Sequence, residues 1–529
     1  MSAARRPIER RSGDRLRVPC LTVLWHPEVA RVGERARLEE VARGREALVT
    51  RSGPAFASPA GGPAVPLAHA SLDGLRLRLA PGDEQGGVVL MTGGEAAVRV
   101  DRAPLDGLRR LGAADVERGV VVEVGEAIVL LLHDLPASEP READDCGLIG
   151  ASERLVEMRR EVRRVADLDV PVLLTGETGT GKELMARAIH RRSRRRERAY
   201  LAVNCGAIPP SLAAAELFGA ARGAFTGAVQ RQMGYFARAD RGTLFLDEVG
   251  EAPADVQVML LRVLERGEVQ PLGVQETQRV DVRLLAATDA DLERAAEEGR
   301  FRAPLFHRLA AYEIAVPPLR QRRDDLGRLL VAFLRRELAA VGEERRLDGE
   351  RAREWLPASI VARLAGHDWP GNVRQLENAA RQIVIGSRGA ATVRIGPQLE
   401  RLLREADRGA ADGDGPPERA SGPAGGGRPR APRRRNRHPA EVEEEAVVAA
   451  LRRHHWAIKP AAEELGVSRG SLYALIDRIP DLRKAADLVR EEVLRAREAC
   501  AGDLHGMSDR LEVSVAGLQQ RMRELGIEA

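Results

Sequence analysis

The stretch LLTGETGTGKEL, residues 173–184, decides how the chain is to be read. An apolar, strand-like run ends in a glycine loop, and a helix-forming run begins directly behind it. Gly176, Gly181 and Lys182 stand in the G-x-x-x-x-G-K pattern. Glycines let backbone N–H groups turn toward phosphates, the helix start adds partial positive charge, and the lysine reaches the outer phosphates. Gly176, Glu177, Thr178, Gly179, Thr180, Gly181, Lys182 and Glu183 are therefore the candidate nucleotide-binding residues. Glu183 stands where the general pattern has a Ser or Thr hydroxyl for Mg²⁺. Of 83 Lys and Arg residues only Lys182, Lys459 and Lys484 are lysines, so a lysine in this loop is not filler.

Downstream, GTLFLDE (242–248) is a strand-like run ending in Asp247 and Glu248. An acid at a strand end holds Mg²⁺, and its neighbour polarises an attacking water. VRLLAATD (282–289) ends in Thr288 and Asp289, placed to sense a γ-phosphate, and LAVNCGAI (201–208) ends its strand at Asn204, whose amide is expected to bond Glu248. Three arginines are singled out by position. Arg374 follows a Trp-Pro-Gly turn at the head of a helix, while Arg302 and Arg308 in GRFRAPLFHRLA (299–310) are expected to project across a subunit boundary.

A chain of 529 residues exceeds what one core supports, so several domains are expected. Residues 20–133 alternate short apolar runs with glycines and prolines, the pattern of an all-β domain. DLPASEPREADD (134–145) is a polar linker, and from 147 to 385 strand-like runs alternate with amphipathic helices, as in an α/β domain with a mainly parallel sheet. Residues 405–440 are rich in Gly, Pro and Arg and are expected to form a disordered basic linker. The tail repeats itself: a shift of 46 lays residues 456–479 on 502–525, with Leu465 on Leu511, Val467 on Val513, Ser468 on Ser514 and Leu472 on Leu518. Each copy, 441–480 and 490–529, has the pattern of two helices joined by a tight turn.

The net charge of +4 makes the whole molecule no attractor for nucleic acid, so such binding belongs to a local module. Cys20, Cys146, Cys205 and Cys500 lie far apart, matching neither a paired-thiol motif nor a zinc cluster. No apolar run approaches a membrane span, and the basic N-terminus lacks the apolar block of a secretory signal, so a cytoplasmic location is expected.

From about Leu148 to Ile385 the chain resembles the bacterial enhancer-binding proteins, AAA+ ATPases that activate sigma-54 RNA polymerase. The resemblance is carried by GETGTGKE (176–183), whose Glu183 is that family's own departure from the general loop, by NC at 204–205, ELFG (216–219) and GAFTGA (223–228), and by GTLFLDE, PPLRQR (317–322) and WPGNVRQLEN (369–378). It implies an α/β P-loop ATPase with a helical lid that uses ATP and Mg²⁺ in a homo-oligomeric ring, expected as a hexamer. Asp247 would organise Mg²⁺, Glu248 would activate water, Asn204 would couple that glutamate to the GAFTGA loop, Arg374 would be a second sensor, and Arg302 and Arg308 would be intersubunit fingers. Gly223, Ala224, Phe225, Thr226, Gly227 and Ala228 would form the loop raised against the sigma factor. Ala220 and Ala221 replace a common His-Glu pair, and Pro304 replaces an acid beside the first finger.

The tail resembles that family's Fis-type helix-turn-helix, which would put Arg469, Ser471 and Tyr473 against double-stranded enhancer DNA. Residues 20–133 are faintly similar to a forkhead-associated β-sandwich, in which Glu34 and Pro66 occupy the phosphothreonine-holding Arg and Ser positions. That implies a degenerate domain meeting a regulatory protein. The competing reading is a DNA-binding repressor or scaffold that keeps the AAA+ fold without remodelling polymerase; an intact GAFTGA separates the two, because a repressor has no use for it. An AAA+ helicase or loading factor would give no use for a terminal specific-binding module.

Overall fold

The computed structural model describes residues 17–82, 87–137, 146–224, 230–411, 444–454, 456, 458–465, 472, 475, 476, 479, 488–500, 503–525 and 527. The chain divides into two units, Met1–Pro416 and Pro417–Ala529.

Among the described residues of the first unit, ten strands come first: β1 (Arg17–Trp25), β2 (Arg35–Arg37), β3 (Ala47–Val49), β4 (Leu77–Pro81), β5 (Val88–Thr92), β6 (Val98–Val100), β7 (Ala103–Pro104), β8 (Leu108–Leu111), β9 (Val120–Val124) and β10 (Ile128–Pro136). They form two antiparallel sheets, ordered β2-β1-β10-β9-β6-β7 and β3-β4-β5-β8. In β4 and β6 the apolar residues alternate with exposed arginines: Leu77 and Leu79 flank Arg78, and Val98 and Val100 flank Arg99. The buried residues of both sheets enclose one core, including Leu21, Val23, Leu79, Leu90, Val122 and Leu130. Two short helices, α1 (Glu39–Ala42) and α2 (Ala113–Arg118), complete this region.

Strands β1, β9 and β10 are buried on both faces, which is why they read as continuous apolar runs. Val120, Val122, Ile128, Leu130 and Leu132 point into the β core. Their neighbours Val121, Val129 and Leu131, with Leu24 and Trp25, enter a second core built with later helices.

The α/β part follows: α3 (Glu153–Ala166), β11 (Val172–Thr175), α4 (Lys182–Arg192), β12 (Tyr200–Asn204), α5 (Pro210–Phe218), α6 (Tyr235–Arg238), β13 (Thr243–Asp247), α7 (Ala254–Arg266), the small hairpin β14 (Glu268–Val269) and β15 (Gln278–Arg279), β16 (Arg283–Thr288), α8 (Leu292–Glu297), α9 (Ala303–Leu309) and β17 (Glu313–Ala315). The five-stranded sheet has the order β12-β13-β16-β11-β17, with all pairs parallel. In such sheets ligands gather beyond the carboxyl ends of the strands. The glycine loop, Asn204, Asp247 and Thr288 all lie at those ends.

Five helices form the lid: α10 (Leu326–Val341), α11 (Glu350–Trp355), α12 (Ala358–Ala365), α13 (Asn372–Gly386) and α14 (Pro397–Ala411). Helix α14 runs past residue 405, so the segment expected as disordered linker from 405 is helical as far as Ala411. Ahead of that stretch, Leu399 and Leu403 are buried on one face of the helix and Glu400 pairs with Arg404 one turn on.

In the second unit, helices Glu444–Arg453 and Ile458–Leu465 recur 46 residues later as Arg490–Ala499 and Leu504–Leu511, followed by Val515–Glu524. Buried Val447, Ala450, Ala461 and Leu472 correspond at that shift to buried Val493, Ala496, Met507 and Leu518, each set inside its own small core. Glu512 takes φ +55° in the turn where the first copy has Gly466, and Ser514 Oγ accepts the Gly517 N–H, capping the last helix.

Candidate functional site

The glycine loop is shaped by backbone angles that side chains resist. Gly179 has φ +78°, and a Cβ there would meet Gly371 O at 2.4 Å, because the lid turn lies directly on the loop. Gly181 is left-handed at φ +102° and opens α4, so Lys182 begins the helix. Lys182 Nζ donates to Gly176 O (2.6 Å) and Glu177 O (3.3 Å), folding the lysine over the loop. Burial lowers its pKa, while Asp289, Asp247 and Glu248 oppose that by favouring the charged form. Thr180 is buried and donates to Glu177 O, and Thr178 Oγ1 donates to Asp289 Oδ2. Glu183 faces outward to Arg187, one turn on (2.9 Å).

Asp247 ends β13 half-buried, and its Oδ1 accepts the Glu248 N–H at 3.1 Å. Burial raises its pKa, countered by the Glu248 N–H and Lys182. Glu248 itself sits at φ +53°, an uncommon conformation for a side chain of this size, and such outliers gather at active sites. A hard carboxylate donor of this kind, completed by phosphate oxygens, is the usual set for Mg²⁺, so Asp247 fits that cation.

Asn204 does not make the expected bond to Glu248. It ends β12 and starts a 3₁₀ turn, so its Oδ1 is taken by the Ala207 N–H at 3.1 Å. The two side chains are nonetheless neighbours across Gly206, where a Cβ would lie 2.6 Å from Glu248 Oε2 and 3.4 Å from Asn204 Oδ1. Thr288 is buried, with Oγ1 accepting the Ala290 N–H.

Lid residues close the loop from the other side. Arg320 grips Glu177 with two hydrogen bonds (2.8 and 2.6 Å), and Asn372 Nδ2 donates to Glu177 Oε2 and Thr178 O, both at 3.1 Å. These contacts, Arg320 first, hold the Glu177 carboxyl down at about 2. Asn372 Oδ1 accepts the Leu319 N–H, so one buried amide joins loop, lid and connector. Arg374 is exposed, and its backbone N–H donates to Gly179 O at 3.3 Å. Arg320 and Asn372 lie within PPLRQR and WPGNVRQLEN without a role legible from the sequence; an Asn behind Pro-Gly, suited to the positive φ it adopts here (+52°), was the available signal.

Residues 148–315 match the family described as the sigma-54 interaction domain, 320–411 the AAA+ ATPase lid domain, and 438–477 the bacterial regulatory proteins of the Fis family. By these matches the chain carries a sigma-54 interaction domain, an AAA+ lid domain and a Fis-type segment, in that order. It is 42% identical over 341 residues to the nitric oxide reductase transcription regulator NorR1 of Cupriavidus necator, covering 64% of each chain. It is 45% identical over 243 residues to the regulatory protein LuxO of Vibrio cholerae, covering 46% of this chain and 44% of that one. A crystal structure of NtrX from Brucella abortus in complex with ADP is similar at 29% identity, with a TM-score of 0.44 over 63% of this chain and 70% of that one. The chain spans about half to two thirds of the length of the curated relatives it matches.

Within the segment matching the sigma-54 interaction domain, Arg302 and Arg308 stand exposed, Arg302 at the N-cap of α9 and Arg308 near its end. Arg308 lies 3.9 Å from Glu265, and Arg302 makes no side-chain ion pair or hydrogen bond among the described residues. Gly223 and Ala224 stand at the root of the GAFTGA loop; Phe225, Thr226, Gly227 and Ala228 lie outside the described residues. That root is pinned by paired hydrogen bonds between Ala220 and Gln232 (3.0 and 2.9 Å) and by Ala221 N–H to Leu272 O (2.9 Å). Arg469, Ser471 and Tyr473 also lie outside the described residues. Among the described residues, no helix is long and apolar enough to cross a membrane.

In the β region, Arg31 pairs with Glu34 (2.8 Å) and donates to the carbonyls of Val65, Pro66 and Leu67. A phosphate approaching this end meets Glu34 beside an arginine already engaged by a carboxylate and three carbonyls.

Proposed function

We propose that this chain hydrolyses ATP in a homo-oligomeric ring, expected as a hexamer, and uses the work to remodel sigma-54 RNA polymerase at promoters whose upstream DNA it binds. The observation that carries the reading is the convergence of Lys182, Asp247, Glu248 and Asp289 at the carboxyl ends of one parallel sheet, under a lid that touches the loop through Arg320 and Asn372. In this reading the loop N–H groups and Lys182 hold the phosphates, and Arg374 contacts them from the lid. Asp247 would hold Mg²⁺, which would supply charge neutralisation for the phosphates when bound. Glu248 orients and polarises the attacking water, and Arg302 and Arg308 reach the neighbouring subunit's nucleotide. Asn204, next to Glu248 across Gly206, relays the γ-phosphate state toward the loop 223–228.

The domain assignments belong to the same proposal: a degenerate forkhead-associated-like sandwich at 20–133 meeting a regulatory protein, the ATPase at 147–385, and helix-turn-helix units at 441–480 and 490–529. Arg469, Ser471 and Tyr473 are the candidate DNA contacts, and the location is cytoplasmic. The test is ATP binding and turnover on the purified full chain. Lys182→Ala should lose nucleotide binding, whereas Glu248→Gln should bind ATP and lose turnover by at least about 100-fold, the scale of a positioned general base. Unchanged turnover in Glu248→Gln would overturn the assignment.

A further inference from the structure

Three parts of the chain that are distant in sequence meet just ahead of α10. Arg35 of β2 directs Nη2 to Asp324 Oδ2 (2.6 Å) and to Ala151 O (2.8 Å), and both members of the ion pair are buried. Asp325, fully buried, accepts from Ala151 N–H (2.5 Å), Ser152 N–H (2.8 Å) and Ser152 Oγ (2.6 Å), and Ser152 in turn caps α3. Arg322 is buried in the field of both aspartates and donates Nη2 to Thr180 O, inside the nucleotide loop, at 3.0 Å. A continuous path of charge and hydrogen bonding therefore runs from the β domain through the lid connector to the loop.

The packing makes that path stiff. Leu24, Trp25, Val121 and Leu131 of the β domain share a core with Leu330 and Leu334 of α10. Gly327 lies so close to β1 that a Cβ would meet Leu24 O at 2.3 Å, and Arg323 donates to Arg118 O (3.3 Å) and Gly119 O (3.1 Å). The β domain and α10 are held by backbone contact as well as by side chains.

We propose that Arg35, supplied by the N-terminal β domain, is a positioning residue for the nucleotide loop, acting through Asp324 and Arg322 on Thr180. The inference rests on the ATPase reading above. Removing the guanidinium leaves Asp324 as a buried charge without that partner. Arg322 and Arg328 are then the cations in the field of Asp324, and drawing Arg322 toward it takes that guanidinium from the Thr180 carbonyl, which frees the loop that must be ordered to hold phosphate.

The experiment is ATP turnover by the full chain across nucleotide concentration. Arg35→Met is expected to raise KM at least about fivefold, the lower end of ordinary coupling between sites, with kcat at saturation held within about twofold. Arg35→Lys, which keeps a cation on a long stem, is expected to return KM to within about twofold of the native value. A staple that only held the fold together would shrink the active fraction, lowering kcat and leaving KM alone. Arg322→Met should raise KM similarly, and combining it with Arg35→Met should add nothing, because both act on one path. Should Arg35→Met fail to fold, Asp324→Asn, which keeps shape and an acceptor, is judged by the same KM criterion. An unchanged KM in whichever of these two folds, or additive effects in the double variant, overturns the proposal. Lys182→Ala run alongside separates the two readings, since turnover that survives it overturns the ATPase assignment itself and this inference with it.

Discussion

Glu248 shows what a single residue demands of the fold around it. Its φ of +53° turns the chain out of β13 so that Asp247 and Glu248 face different tasks, one fixed by a backbone N–H and one standing over Gly206. The places of Lys182 at the head of a helix and of Asp247 and Glu248 at a strand end were legible, because the phosphate-loop pattern restricts both residue type and position. Asn204 was legible as a neighbour of Glu248 but not as a cap for Ala207, since a strand end that turns at once into a 3₁₀ turn claims the carbonyl locally. Arg320, Arg322 and Asn372 were not legible as a set, because with so many arginines only the folded lid reveals which ones reach the loop. At this scale the exposed Arg302 carries a prediction. Arg302→Ala and Glu248→Gln should each be inactive alone, yet mixing the two proteins should restore measurable ATP turnover, because a ring then contains interfaces with an intact finger facing an intact Glu248. Mixtures that stay inactive would place finger and acid in the same subunit's site, or assign the finger elsewhere.

Among the elements, β1, β9 and β10 were legible as strands from their β-branched, glycine-bounded runs, but not as strands buried on both faces. The helices that cover their second face come much later in the chain, and local pattern carries no record of them. Helix α14 shows the opposite case: helical segments closing near Arg404 were legible, but an Ala, Gly and Arg composition hid the continuation of the helix from 405 to Ala411. Buried histidines follow β1 at His26 and lie within β10 at His133, and their titration is informative. Burial lowers His26 to about 4 and His133, bonded to Thr22 at 2.7 Å, to about 3, from an ordinary 6.5. Both stay neutral in the folded chain while the unfolded chain takes up protons below pH 6.5, so stability falls as pH drops from 6.5. The limiting slope is about 1.4 kcal/mol per pH unit for each histidine. Urea unfolding of the full chain, followed by tryptophan fluorescence between about pH 7 and 5, should show this loss, and His133→Gln should reduce the slope. A midpoint that does not move over that interval would contradict the burial of these rings.

Across the whole molecule, the order of modules was legible from composition and motif. The union of the β region and the lid in one unit was not, because nothing in residues 20–133 announces a partner surface. The tail repeat was visible in the sequence as a shift of 46 and recurs in helix ends and buried positions. The family match to Fis-type regulators stops at residue 477, so truncation after Ile479 should keep the preferred DNA sequence while affinity falls. A changed preference would show that residues 490–529 contact bases themselves. The central claim is that hydrolysis is converted into work on sigma-54 polymerase by a loop that takes no part in hydrolysis. Its most direct test is formation of the open promoter complex by sigma-54 polymerase on a template carrying the upstream site, with the native chain and Thr226→Ala assayed at equal ATP turnover. The account predicts open complexes with the native chain and none with Thr226→Ala. Equal promoter opening by the two proteins, or opening by the native chain without ATP hydrolysis, would contradict it.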